Sequence, residues 1–143
     1  MKKIMIVSCL FFILSASLVS AEPPQGTTCP KVSQFADTSL QDKEELLKTL
    51  NTLIPQVYGG DKYSEKYSEW QVTLAEPMPQ LTGFDKDAYY GIAKNFCGEE
   101  VAKRSWLVKL HFPLWLPSVS GSQGQIYLTK DKEKGWSVWF RYH

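Results

Sequence analysis

Charge of one sign, histidine and cysteine are all scarce in this chain of 143 residues, which has 16 Lys and Arg against 15 Asp and Glu, two His and three Cys. A formal net charge of +1 excludes a polybasic nucleic-acid binder, because nothing would supply the long-range attraction to phosphate. No HExxH, CxxC, Gly-rich phosphate loop or GxSxG is present. No catalytic residue, cofactor or metal site is therefore assigned, and the sequence states no molecular activity. The content of 43% hydrophobic and 22% charged residues excludes disorder by composition and a multi-pass membrane protein.

What is present begins with an address. Lys2 and Lys3 precede an uncharged apolar run from Ile4 to Val19, which ends in the small-residue pattern Val19-Ser20-Ala21. That is the pattern of a secretory signal peptide, and cleavage after Ala21 is expected. A retained membrane anchor is the alternative; Pro23 and Pro24 follow at once, and no basic residue flanks the far side. Ile6-Val7-Ser8-Cys9 has the outline of a lipoprotein box, but it lies too close to the lysines to leave room for an apolar core. The expectation is a freely exported protein, extracellular or in the cell envelope, that meets the membrane only transiently through its leader.

Loss of Lys2 and Lys3 leaves 14 basic against 15 acidic side chains. Two cysteines remain, Cys29 and Cys97, in a chain bound for an oxidising compartment, and one disulfide is expected. The alternative is a buried Cys97 thiol with Cys29 free.

The segment 22–36 lacks periodicity and carries prolines, glycine and Cys29-Pro30, so it reads as an extended arm ahead of one domain spanning 37–143. Asp37, Thr38 and Ser39 are N-cap types, with Gln41 and Asp42 placed as in a capping box. Leu40, Leu47, Leu50, Ile54 and Val57 recur at helical spacing, and Pro55 predicts a kink or stop near Leu53. Trp70, Val72 and Leu74 alternate as in a strand. A second helix is predicted from Asp85 or Asp87, with Tyr89, Ile92, Ala93, Phe96 and Cys97 on one face and Gly98 as its stop.

From Val101 the period changes, with Trp106, Val108, Leu110 and Phe112 on one side of a strand. A hairpin follows, Gln125 to Lys130 and Trp136 to Tyr142 around a short polar loop. The fold class is α+β: two amphipathic helices on a curved antiparallel sheet, in the order α-β-α-β-β-β, with both helices on one face. This order, with Gly135-Trp136-Ser137-Val138 in the last strand, resembles the NTF2-like and cystatin-like rolls. Such superfamilies range from enzymes to binding modules, so the resemblance implies a fold and transfers no residue roles.

Strict alternation puts Trp136, Val138, Phe140 and Tyr142 on the core side of the last strand. The outer face then combines Tyr127, Trp139, Arg141, Lys109 and His111, an aromatic and basic surface suited to a protein partner, a homodimer or a glycan. The rival account is a cross-strand ladder that stiffens the hairpin. Leu114-Trp115-Leu116, between Pro113 and Pro117, is either a lid over the mouth of the roll or an exposed anchor. Asp85, Asp87, Glu99 and Glu100 are expected to cap helices or meet solvent, the alternative being an acid or base in the cavity.

The functional expectation is a secreted, non-enzymatic module that binds a protein partner or a small apolar ligand. A small enzyme using a cavity carboxylate or His111, and a self-associating envelope protein, are the alternatives.

Overall fold

The computed structural model describes residues 27–60 and 62–143. The expected leader and its cleavage point lie outside them. Among the described residues, no helix is long and apolar enough to cross a membrane.

The first helix starts on the expected capping box. Ser39 Oγ accepts from Gln41 N at 3.3 Å, and the Asp42 carboxylate accepts from Ser39 N at 2.8 Å. After a 3-10 turn at Leu40–Asp42, helix α1 runs Lys43–Tyr58 and passes through Pro55. This corrects the expected stop near Leu53. Beyond the proline the last turn carries Tyr58, fully enclosed between the rings of Tyr67 at 4.9 Å and Phe112 at 4.8 Å. That burial outweighs the one backbone hydrogen bond the proline removes.

Strand β1 is Gln71–Pro77, β2 Trp106–His111, β3 Gln123–Asp131 and β4 Gly135–Tyr142, forming an antiparallel sheet in the order β1-β2-β3-β4. The α+β class and the antiparallel meander are as the sequence implies. Between β1 and β2 the chain forms one helical segment, α2, from Gly83–Asp85 through a π-wound stretch Lys86–Tyr90 to Gly91–Cys97. Gly98, at φ 87°, ends it. A short helix α3, Glu99–Lys103, follows where the sequence suggested the approach to a strand.

The two helices do not share a face. Leu46, Leu50, Ile54 and Tyr58 of α1 pack with Trp106, Val108, Leu110, Ile126, Leu128 and Trp136. Ala93 of α2 and Ala102 of α3 pack with Leu107, Tyr127 and Phe140 from the opposite side of the sheet. The sheet is therefore the middle of three layers, and both of its faces are core.

Two bulges make this possible. The register breaks between Val72 and Leu74 in β1, so Leu74 leaves the α1 side and joins the second core. In β4, Leu128 pairs with Val138 and Tyr127 with Phe140, so Trp139 is the extra residue. A bulge shifts the phase of alternation by one. Phe140 thus packs against Phe96 of α2 at 5.2 Å rather than beside Trp136, which corrects the expected placement of Phe140 and Tyr142.

The arm crosses from one layer to the other. Cys29 is bonded to Cys97 at the end of α2, with Cα atoms 5.4 Å apart. From there the chain passes the tip of the β3–β4 hairpin, where buried Phe35 bridges Asp131 and Ala36 N donates to Lys130 O at 2.8 Å. It then enters α1 on the far side of the sheet.

Candidate functional site

The residues expected to form an open outer face are largely covered. Tyr127 is fully enclosed and Thr129 is buried. Trp139 is half-buried, edge-on to Tyr127 at 5.5 Å, and its indole N–H donates to Ser105 Oγ at 3.0 Å. Arg141 is not with them: the bulge turns it to the α1 side, where it donates to Val57 O at 3.0 Å and lies over the Tyr58 ring at 4.7 Å. The surface of Tyr127, Trp139, Arg141, Lys109 and His111 is thus dispersed, because α2 and α3 occupy the face that a two-layer fold would have left open.

Lys109 and His111 remain together at the end of this face that the helices leave uncovered. Alternation along β2 places them after Leu107, and pairing of Lys109 with Gln125 and His111 with Gln123 sets two glutamines beside them. A concavity of about 230 Å³ lies over Thr73, Lys109, His111, Gln123 and Gln125. A second, of about 420 Å³, shares Gln123 and Gln125 and extends to Tyr89, Tyr142 and the 117–122 loop. Together they form a polar cleft above the central strands. Sequence patterning pointed to the histidine and lysine; it missed both glutamines, which differ from ordinary surface amides only by where the helices stop.

Lys109 and His111 are each held by a named partner. Lys109 Nζ pairs with Asp85 of α2 at 2.9 Å and lies 5.6 Å from the centre of the Tyr89 ring. Asp85, expected as a helix cap, is thereby the counter-ion of the cleft lysine. His111 Nδ1 lies 3.1 Å from Ser122 O. In the neutral ring Nδ1 must donate to that carbonyl, which leaves Nε2 as the acceptor. His111 is therefore half-buried and fixed by the loop rather than freely solvated.

Gln125 is only 4% exposed and its Oε1 has no hydrogen-bond partner; two residues along the same face the Tyr127 hydroxyl is also enclosed without one. Burial raises the Tyr127 phenol far above its ordinary range, reinforced by Tyr89 and Tyr142. Burial likewise raises Tyr89, with Lys109 opposing. On α2, Tyr90 is pushed up to about 12 by burial and by its hydrogen bond to Glu99. Glu99 is lowered by that bond and by Lys94, so it braces α2 against α3 instead of standing free in solvent.

The apolar loop divides. Trp115 turns inward against the rings of Tyr63 at 5.3 Å and Tyr67 at 5.6 Å and lies on Gly121. Leu114 and Leu116 point outward, 39% and 71% exposed. Among the described residues, no group of three or more His, Cys, Asp or Glu converges to hold a metal ion. Side chains of α1 pack directly on the sheet, and an apolar concavity of about 280 Å³ lies at the surface beside Tyr58, Tyr67 and Trp70.

Comparison with family models, with curated proteins and with solved structures found no match. What the structure defines is an α+β protein with a four-stranded antiparallel meander. The NTF2-like and cystatin-like resemblance rests on element order and the short Gly135-Trp136-Ser137-Val138 motif.

Proposed function

We propose that this chain is an exported, disulfide-stapled binding module that takes a small polar ligand in the cleft over β2 and β3. The observation that carries the reading is local. On a sheet face otherwise packed with apolar groups, Lys109, His111, Gln123 and Gln125 are polar and line one concavity. The backbone of all four is set by the pairing of β2 with β3, and Lys109 and His111 are fixed by Asp85 and Ser122. Gln125 is nearly enclosed with an unpartnered Oε1, and an occupant toward which its amide turned would gain a hydrogen bond. A polar occupant suits the groups that line this cleft, whereas the small apolar ligand of the first expectation would suit the surface concavity beside Tyr58, Tyr67 and Trp70.

Export rests on the leader pattern. Amino-terminal sequencing of the extracellular protein should begin at Glu22, and recovery of the full-length chain in membranes would overturn it. The cleft is tested by NMR titration of the mature protein with small neutral, anionic and cationic polar compounds. Saturable shifts should map to Lys109, His111, Gln123 and Gln125. Binding confined to other surfaces, or none, overturns the reading.

A second reading has one observation in its favour: the orientation of His111 leaves Nε2 as a base at the cleft. In that case a bound compound would be released chemically altered, which mass spectrometry detects. Recovery of unaltered compound from a saturated site favours binding alone.

A further inference from the structure

The cleft is nearly neutral, hydroxyl- and amide-rich and flanked by aromatic rings, and this combination narrows its ligand. We infer that the occupant is a neutral saccharide of two or more rings, an inference that rests on the cleft being the binding site. Charge is the first argument. Among the described residues lining the two concavities, the one permanently charged side chain is Lys109. Asp85 already neutralises it at 2.9 Å. An anionic ligand finds no uncommitted permanent cation among those side chains.

The remaining groups match hydroxyls. Gln123 offers an exposed amide, Ser120 a hydroxyl and His111 an acceptor. Thr73 Oγ1, which donates to Lys109 O at 3.2 Å, keeps its lone pairs as acceptors, and the Gln125 amide is nearly enclosed beneath them. Beside them Tyr89 and Tyr142 stand edge to face at 6.5 Å, with Tyr142 41% exposed, and Phe84 extends the row at 6.2 Å from Tyr89. Aromatic faces next to planar polar groups suit a ring that is apolar on its C–H face and polar at its rim.

Backbone geometry separates a saccharide from a peptide. Extended peptides are read mainly by adding a strand to a sheet edge, through main-chain hydrogen bonds. The floor of the cleft is β2 and β3, which pair on both sides within the sheet, so their main-chain groups are committed, and its 117–122 wall is a loop rather than a sheet edge. The larger concavity, about 420 Å³, falls in the usual range for small-ligand sites, and its shared glutamines continue into the smaller one. A chain of rings would run across both.

The test is a heteronuclear NMR titration of the mature, oxidised protein with five probes: maltotriose, cellotriose, triacetylchitotriose, trigalacturonate and triglycine. At least one neutral trisaccharide should shift the amides of Gln123, Gln125 and Tyr142 saturably, with an affinity unchanged between low and high salt. Tyr142→Ala, an exposed position, should weaken that binding about tenfold while leaving the circular dichroism spectrum intact. Gln123→Ala should weaken it independently. If trigalacturonate or triglycine binds in the cleft while all three neutral sugars are inert, the saccharide assignment falls and the cleft reading stands. If no probe perturbs a cleft residue, both fall.

Discussion

Trp139 and Ser105 are joined across the second core: the indole N–H of Trp139 donates to Ser105 Oγ at 3.0 Å, and that hydroxyl donates onward to Val101 O at 2.7 Å. The bond ties the bulge in β4 to the end of α3. Trp139→Ala should therefore lower unfolding stability by about 2–4 kcal/mol, through lost packing plus an unsatisfied hydroxyl lone pair. Trp139→Phe, which keeps a ring and loses the donor, should cost less. Urea denaturation of both variants checks the order, and sedimentation of the alanine variant should show unchanged association, since the side chain packs within the protein.

The bond between Cys29 and Cys97 closes 68 residues of separation and holds the arm to the end of α2. Thiol titration of the unfolded, unreduced monomer should find no reactive thiol. Replacing both cysteines by Ser should lower stability by up to about 4 kcal/mol on the chain-entropy account. Hydrogen exchange should show the loss first in α2, since the arm keeps its contacts to Lys130 and Asp131 at the hairpin.

Lys130 links β3 to the start of α1, with its Nζ 2.9 Å from Asp42 and 2.7 Å from Glu45. The Asp42 carboxyl is lowered by hydrogen bonds from Ser39 and Lys130, whereas Lys130 is raised by its bonds to Glu45 and Asp42. The Asp42 contribution is full above the ordinary Asp value of about 3.9 and is lost as pH falls through the lowered value. That of Lys130 is full below the ordinary Lys value of about 10.4 and is lost as pH rises through the raised one. Lys130→Met should flatten both limbs of a plot of melting temperature against pH.

Gly124 lies beneath the Tyr58 ring, where an added Cβ would collide with the Tyr58 hydroxyl and meet the Phe112 ring at 2.9 Å. Gly124→Ala should destabilise by about 1–3 kcal/mol, as overpacking does. Tyr58→Phe removes the hydroxyl along with its 3.2 Å bond to His143 O. The double variant should recover part of the alanine cost, and thermal unfolding of the four proteins gives the coupling.

Local pattern was enough for much of the fold. The capping box at Ser39, the stripe of α1, the positive-φ stop at Gly98 and the polar turn from Asp131 to Gly135 are all written in neighbouring residues, because caps, amphipathic stripes and turns are short-range effects. Likewise Lys109 and His111 were legible as a pair two apart on one strand. Their burial and partners were not.

What sequence alone determined is the class: α+β, a closing antiparallel meander, and two cysteines placed to staple it. Tertiary structure decided the layers, because a bulge leaves no reliable trace in alternation yet reverses the facing of every residue after it. Leu74 and Phe140 read as partners of α1 only until the extra residues Thr73 and Trp139 are seen, and then they belong to a second core. The cleft depends on the same event. Lys109, His111, Gln123 and Gln125 share a concavity because α2 and α3 cover one end of that face and stop short of the other, a boundary set by packing between segments far apart in the chain.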